Sequence, residues 1–570
     1  GARAGLLKET TDPLGNVTSY DYDAVGRLIS TVNPVGHEGS ADPDDHRTVI
    51  EYDDEDRVRF VETPDPDGAG DPLVTETRYD EVGNPVVRID ASGQVTTLGY
   101  DARNSLAEVI ESTAAWTDPE DPPGALITTT YEHDAAGNVT QVIRADSDAT
   151  FERATAYTFD GRGLVRSETE YPSWPSTSGP LVTAAAYDAA GNRTTLTDPL
   201  SHTTTFEYDR LDRLVEIDYA DTGTPDVAYE YDAHGNRTEM TDGTGTTTYT
   251  HDEADRLVTV TFPGSVTVGY RHDLDGHRTA LIYPGDDIVE YAIDEAGRVE
   301  SLTDWDERTA TYGYAPDGAL ETVTHPNGVV TTYGYDDARR LTDIEHVLDS
   351  TVQAEHHYEL DQLGRVIALD EGALDWTYGY DRLSRLTAVD GPDDERSYAY
   401  DPLGNRLSRT IDTTTTTYTH DGADRLLTVD AGSVTVDAAG NLTARGSDSF
   451  DYDAAHRLIE ATVGSVTTLS TYDGDGTRVG EQVGSDPATT YLNDVAGGLP
   501  VVLDDGTTRS VWGPTGLAWT VSGSEVEVPL ADRLGSIRTV TDDEGAVIAT
   551  VRTDEFGVVT ASTGDPDPTH

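Results

Sequence analysis

Tyr187–Asp209 reads YDAAGNRTTLTDPLSHTTTFEYD, and its spacing decides the fold. Asp188 and Gly191 occupy the first and fourth positions of a turn. Asp hydrogen-bonds the backbone ahead of it, and Gly accepts the left-handed conformation that closes a hairpin. Asn192–Thr197 then alternates as a strand. Asp198-Pro-Leu-Ser201 is a second turn, matched by Asp12-Pro-Leu-Gly15 and Asp242-Gly-Thr-Gly245. Thr203–Tyr208, rich in β-branched and aromatic residues, is the return strand. Two strands of about six residues and two four-residue turns make a unit of about 20 residues.

The unit recurs along the chain. Its form is Tyr-Asp-x-x-Gly-(Arg/Asn)-(Leu/Val), with clear copies at Tyr22, Tyr79, Tyr187, Tyr231 and Tyr400. Asp23, Asp80, Asp188, Asp232 and Asp401 start their turns, and Gly26, Gly83, Gly191, Gly235 and Gly404 close them. Degenerate copies replace the tyrosine, as at His133, Phe159, His251, Ile293, Leu360 and Val436. From Tyr187 to Tyr335 the steps are 20 to 23 residues, and about 21 copies run from Tyr22 to Tyr472.

One such hairpin is not stable alone in water, whereas hairpins joined in series cover one another's edges. No helical period competes. The sequence therefore predicts an all-β chain: tandem hairpins in one long coiled antiparallel sheet, forming a hollow spiral barrel or shell. Coiling follows because strands twist consistently. The tyrosines suit a wet, two-sided polar sheet with hydrated hydroxyls, and Tyr333 and Tyr335 share a face where rings can stack between strands.

Composition agrees with a shell and excludes much else. The 570 residues carry 107 acidic and 38 basic side chains, a net charge of −69. Such a surface repels phosphate backbones and anionic membranes, so nucleic-acid binding and membrane docking are not expected. Lys8 is the single lysine, which leaves no lysine for a phosphate-binding loop or Schiff base beyond the extreme N-terminus. With no cysteine there is no disulfide, thiolate nucleophile or Cys-based metal site. No apolar run approaches the ~18 residues of a membrane-spanning helix, and the first residues are not a signal peptide. The 36% apolar fraction fits a hollow sheet better than several compact domains.

No catalytic constellation emerges. There is no Gly-x-Ser-x-Gly elbow and no HExxH. Asp recurs because the turns use it. His133, His251, His272 and His420 stand in the tyrosine slot of degenerate copies, and His356-His357 reads as a loop-like or edge stretch. No cofactor is expected other than a calcium ion as a candidate at the Asp-rich turns. Asp473-Gly-Asp-Gly476 and Asp65-Pro-Asp-Gly68 resemble fragments of calcium loops, but neither continues into the spacing that calcium loops need. Longer loops at Asn33–Asp45, Thr117–Gly124 and Tyr171–Pro180 interrupt the N-terminal third, where insertions either contact partners or are tolerated growth.

The Tyr-Asp motif at this period resembles the YD-repeat, or Rhs-repeat, family over roughly residues 10–480. Residues 491–560 resemble the Rhs-associated core that ends such arrays. The core resemblance rests on Asp532-Arg-Leu-Gly-Ser-Ile-Arg538 and Asp554-Glu-Phe-Gly557, with Asp532, Leu534, Gly535, Ser536, Arg538, Asp554, Phe556 and Gly557 as its motif residues. Arg533 and Ile537 depart mildly from the usual His and Val. The domain expectation is a repeat array over 1–480 and a core-like region over 481–570.

The resemblance implies a non-catalytic shell, secreted or at the cell surface, that encloses a C-terminal toxin or effector from the same precursor. Secretion machinery and surface glycans are further candidate partners. Two alternatives remain at this point: a surface adhesion or carbohydrate-binding protein, and the front of an aspartyl autoprocessing protein. Both ends read as cuts within a longer protein, the C-terminal one ahead of the family's autoproteolysis motif.

Overall fold

The structure is a computed structural model that describes residues 5–564 apart from 40, 67–71 and 222. It is nearly all β. A 44-stranded antiparallel sheet runs from Glu9–Thr11 to Thr489–Thr490, and an 8-stranded sheet runs from Leu492–Asp494 to Val559–Thr563. Strands pair with their sequence neighbours throughout, so both sheets are meanders. Among the described residues the helical elements are two short 3-10 turns, Pro34–His37 and Pro43–His46, both inside the first long insertion. No helix among these residues is long and apolar enough to cross a membrane.

The quoted unit folds as its pattern predicts. Arg193–Thr197 pairs with Thr203–Tyr208, and Leu181–Tyr187 pairs with Arg193–Thr197. The register shifts between Ala186 and Tyr187, and equivalent bulges precede other motif turns, as between Glu230 and Tyr231 and between Ala399 and Tyr400. A bulge bends its strand and increases local twist. Repeated along the array, it gives the sheet a consistent curvature.

Contacts between distant repeats show the coil. Arg144 Nη1 donates to the Leu403 carbonyl 259 residues away, and Arg237 binds Asp475 across 238. The Gly474 amide donates to Asp242 across 232 residues, and the Ala454 amide to Thr224 Oγ1 across 230. The turn opposite the motif in one coil thus meets the motif turn of the next. The terminal sheet continues the sequence of contacts at shorter intervals: 227 residues for Tyr283 to Ser510, 175 for Arg533 to Tyr358, and 145 for Arg409 to Asp554. The spiral tightens towards its C-terminal end. The Tyr171–Pro180 insertion serves this stacking, since the Gly422 amide donates to the Pro172 carbonyl at 2.8 Å. A Cβ at Gly422 would lie 3.0 Å from the Tyr171 and Pro172 carbonyl oxygens, so the approach requires glycine.

The sheet is less evenly polar than its composition predicts. One cluster joins Val260, Tyr270, Leu281, Val289, Leu302 and Tyr312 of the array to Leu503, Val511, Trp519 and Val528 of the terminal sheet. Apolar residues are concentrated where two layers meet, while earlier repeats remain largely half-exposed. On the opposite face, Glu207 lies across from Glu216 and Glu230 across from Glu239. His356 and His357 are also placed differently from the loop or edge reading. They lie within the strand Thr351–Leu360, paired on both sides, with His356 buried. The apolar neighbours of this strand, Ile344 and Leu369, explain why it is interior.

Candidate functional site

Each motif turn is a small polar machine built around its aspartate. Asp232 Oδ1 accepts from the amides of His234, Gly235 and Asn236, and Oδ2 accepts from Asn236 Nδ2. Gly235 has φ +103°, a conformation that side chains strain to reach. Asp23, Asp80, Asp188 and Asp401 bind their turns in the same way, closed by Gly26, Gly83, Gly191 and Gly404 at φ +99° to +111°. Where the fourth residue is Asp, as at Asp212 and Asp255, it occupies the left-handed region at φ +60° and +61°.

Arginine four residues after the aspartate links one repeat to the next. Arg213 Nε donates to Asp209 Oδ2 at 2.7 Å, while Nη1 reaches the Asp232 carbonyl of the next turn at 2.8 Å. Its guanidinium also lies 4.8 Å over the Tyr231 ring. Arg57 repeats this with Tyr79 and Asp80, and Arg385 with Tyr400 and Asp401. Lys8 lies over Tyr22. At Asp252 the Arg256 side chain, then its amide, hold the carboxyl down to about 2.

The motif tyrosine reaches backwards. Tyr231 OH donates to the Leu214 carbonyl at 2.8 Å, Tyr79 to Val58 at 3.0 Å and Tyr187 to Val165 at 2.9 Å. The hydroxyl is therefore bound to protein rather than left for water. Ring stacking between tyrosines is replaced by arginine: Arg339 lies 4.7 Å over Tyr335, while Tyr333 packs into the apolar clusters. A guanidinium fits here because it stacks flat and still donates from its edge. The signal was present in the sequence as the Arg four residues after many turn aspartates.

The terminal motif residues use the same chemistry. Asp532 Oδ1 accepts from the amides of Leu534 and Ser536, and Oδ2 accepts from Arg538 Nε at 2.7 Å. Gly535 and Gly557 close their turns at φ +81° and +84°. Asp554 binds the amides of Phe556 and Val558 and receives Arg409 from the array at 2.8 Å. Phe556 meets Tyr398 edge-on at 5.3 Å, whereas Leu534 is exposed. Asp532 and Asp554 therefore hold turns at the seam between the sheets. A cavity of about 520 Å³ opens beside them, lined by Trp376, Tyr378, Glu371, Arg538 and Glu555.

Of the two calcium-like stretches, Asp65–Gly68 lies partly outside the described residues. In Asp473–Gly476, Asp475 is held by Arg237, and Asp473 accepts from the amides of Asp475 and Thr477. Burial, then the neighbouring Asp475 and Asp242, push the Asp473 carboxyl up to about 6. A raised carboxyl favours folding most in acid, and this advantage is lost as pH rises from the unfolded value of 3.8 through 6. Asp473→Asn is expected to stabilise the protein at neutral pH by on the order of 3 kcal/mol and to have almost no effect near pH 3. Urea midpoints at the two pH values check this; an equal shift at both would show that ionisation is not involved.

The family model of the teneurin YD-shell matches residues 186–376 and 370–492, just over half of the chain. The chain belongs to the YD-shell family. The RHS repeat model matches residues 3–38 and 79–114 of this YD-shell chain. Its fold is similar to that in the crystal structure of TcdB2-TccC3-TEV, with 15% identity, a TM-score of 0.67, and coverage of 96% of this chain and 35% of that one. The Photorhabdus luminescens Tc holotoxin pore carrying TccC3-D651A is also similar, at 15% identity, TM-score 0.65, and 98% and 35% coverage. Double-stranded DNA deaminase toxin A of Burkholderia cenocepacia (strain H111) is 26% identical over 289 residues, covering 45% of this chain and 18% of that protein. The chain thus spans about a third of those solved chains and under a fifth of the curated relative.

Proposed function

We propose that this YD-shell chain is the non-catalytic wall of a container that encloses a C-terminal effector polypeptide of its own precursor during export. The observation that carries the reading is the tightening spiral, stacked turn upon turn through side-chain contacts and finished by the terminal sheet. Every motif aspartate described above is engaged in its turn, which favours a wall over a catalytic surface. The carboxylate pairs Glu207–Glu216 and Glu230–Glu239 concentrate negative charge on one face. Like charges across a ladder cost stability, but they would attract a basic cargo from that side. The toxin name of the curated relative supports an effector of that class.

Protease protection on the complete precursor tests this reading. The effector segment is expected to survive digestion that destroys the same segment expressed alone, and to become sensitive in a Trp519→Ala precursor. Equal digestion of enclosed and free effector would overturn it.

A further inference from the structure

The turns account for most charged side chains, but not for three histidines at the seam. His325 follows the strand Leu320–Thr324, His346 lies in Leu341–Leu348, and His356 lies in Thr351–Leu360. Thr331 Oγ1 bridges the first two, 2.9 Å from His325 Nε2 and 2.8 Å from His346 Nδ1. The His346 and His356 rings meet edge-on with centroids 6.1 Å apart. His356 Nδ1 lies 2.8 Å from Glu371 Oε1, and its ring stacks on Tyr358. His346 and His356 are buried, and His325, though half-exposed as a residue, has its Nδ1 enclosed. His325 Nδ1 and His356 Nε2 have no hydrogen-bond partner, and His346 Nε2 faces the Ala531 backbone of the terminal sheet.

This row lies beneath the contacts that join array and terminal sheet. Asn327 Nδ2 donates to Thr541 Oγ1 and the Asp542 carbonyl, and the Arg533 amide donates to Tyr358 OH. We propose that the histidine row is an acid-operated latch, holding the terminal sheet on the array at neutral pH and releasing it in acid.

The groups facing the row explain the direction. Glu371 can balance a charge on His356 alone. His346 meets His356, His325 and the Ala531 backbone of the terminal sheet. His325 meets the Thr331 hydroxyl. Burial holds His325 down to about 4; burial, then the charges of His356 and His325, hold His346 down to about 3. In the open seam both return towards the ordinary value of 6.5. Between those values the open form binds protons that the closed form refuses, so opening grows as pH falls below about 6.5. Each of these two histidines contributes about tenfold per pH unit, and above that range the latch is insensitive.

Hydrogen exchange on the full chain near pH 7 and near pH 5, corrected for intrinsic rates, tests the latch. Peptides over 325–358 and 527–545 are expected to open about 500-fold more in acid, while those over 187–215 do not change. In His325→Gln/His346→Gln the acid response should fall to that of the array, while His357→Gln, whose ring is partly exposed beside Asp343, should keep it. An unresponsive wild-type seam, or a full response in the double variant, would overturn the proposal. Should the double variant not fold, imidazole C2–H exchange on the wild type reads the same quantity. His325 and His346 must remain neutral while the seam is closed, and titration of either ring near pH 6.5 with the seam still protected would sink the latch.

Discussion

Trp519→Ala is expected to cost about 3–5 kcal/mol and to loosen the terminal sheet before the array unfolds. Trp519 is fully buried at the junction of the two sheets, in one cluster with Leu281, Leu302, Val511 and Val528. Removing its ring leaves a cavity that two cross-linked layers cannot readily collapse, because each layer is fixed by its own ladder. The ring also donates from Nε1 to Asp304 Oδ2 at 3.0 Å. That carboxylate retains Arg308 at 2.6 Å, so Trp519→Phe should lose only about 1–2 kcal/mol. Urea unfolding followed by circular dichroism separates the two variants. Equal losses for Ala and Phe would place the energy in the hydrogen bond and contradict the packing account.

Arg409→Ala should cost about 3 kcal/mol, because it strands a charge rather than removing a hydrophobic anchor. The Asp554 side chain has no solvent exposure, and Arg409 crosses from the array to meet it at 2.8 Å. Without the guanidinium, Asp554 keeps only the Phe556 and Val558 amides, both on Oδ1. Adding Asp554→Asn preserves those two bonds and removes the unpaired charge, so the double variant should recover to within about 1 kcal/mol of Asp554→Asn alone. Thermal or urea midpoints of the four-protein cycle check this. A double variant as unstable as Arg409→Ala would mean that Arg409 acts through packing of its stem.

Local structure was legible because turn chemistry is local. Asp188, Gly191 and the alternation through Thr197 and Thr203–Tyr208 specify a hairpin with no help from elsewhere, and the hairpin recurs. Repetition then implies a meander, and twist implies a coil. The same local pattern misplaces His356, because two adjacent histidines give no period-two signal and their burial comes from Ile344 and Leu369 on neighbouring strands. It also left the motif tyrosines wet. Their acceptors, such as the Leu214 carbonyl for Tyr231, belong to the preceding repeat, and hydrogen-bond register between repeats is not written in either one.

The amino-acid sequence by itself determined the unit, its period, the all-β class and the turn role of most aspartates, since each depends on residues within about 20 positions. Only the tertiary structure decided which repeats meet. The pairing of Arg144 with Leu403, of Trp519 with Asp304 and of Arg409 with Asp554 depends on how many residues complete one coil. That number accumulates from small twists and bulges at every strand, so no single stretch of sequence carries it. The buried histidine row exists for the same reason: its surroundings are assembled by the closing of the spiral.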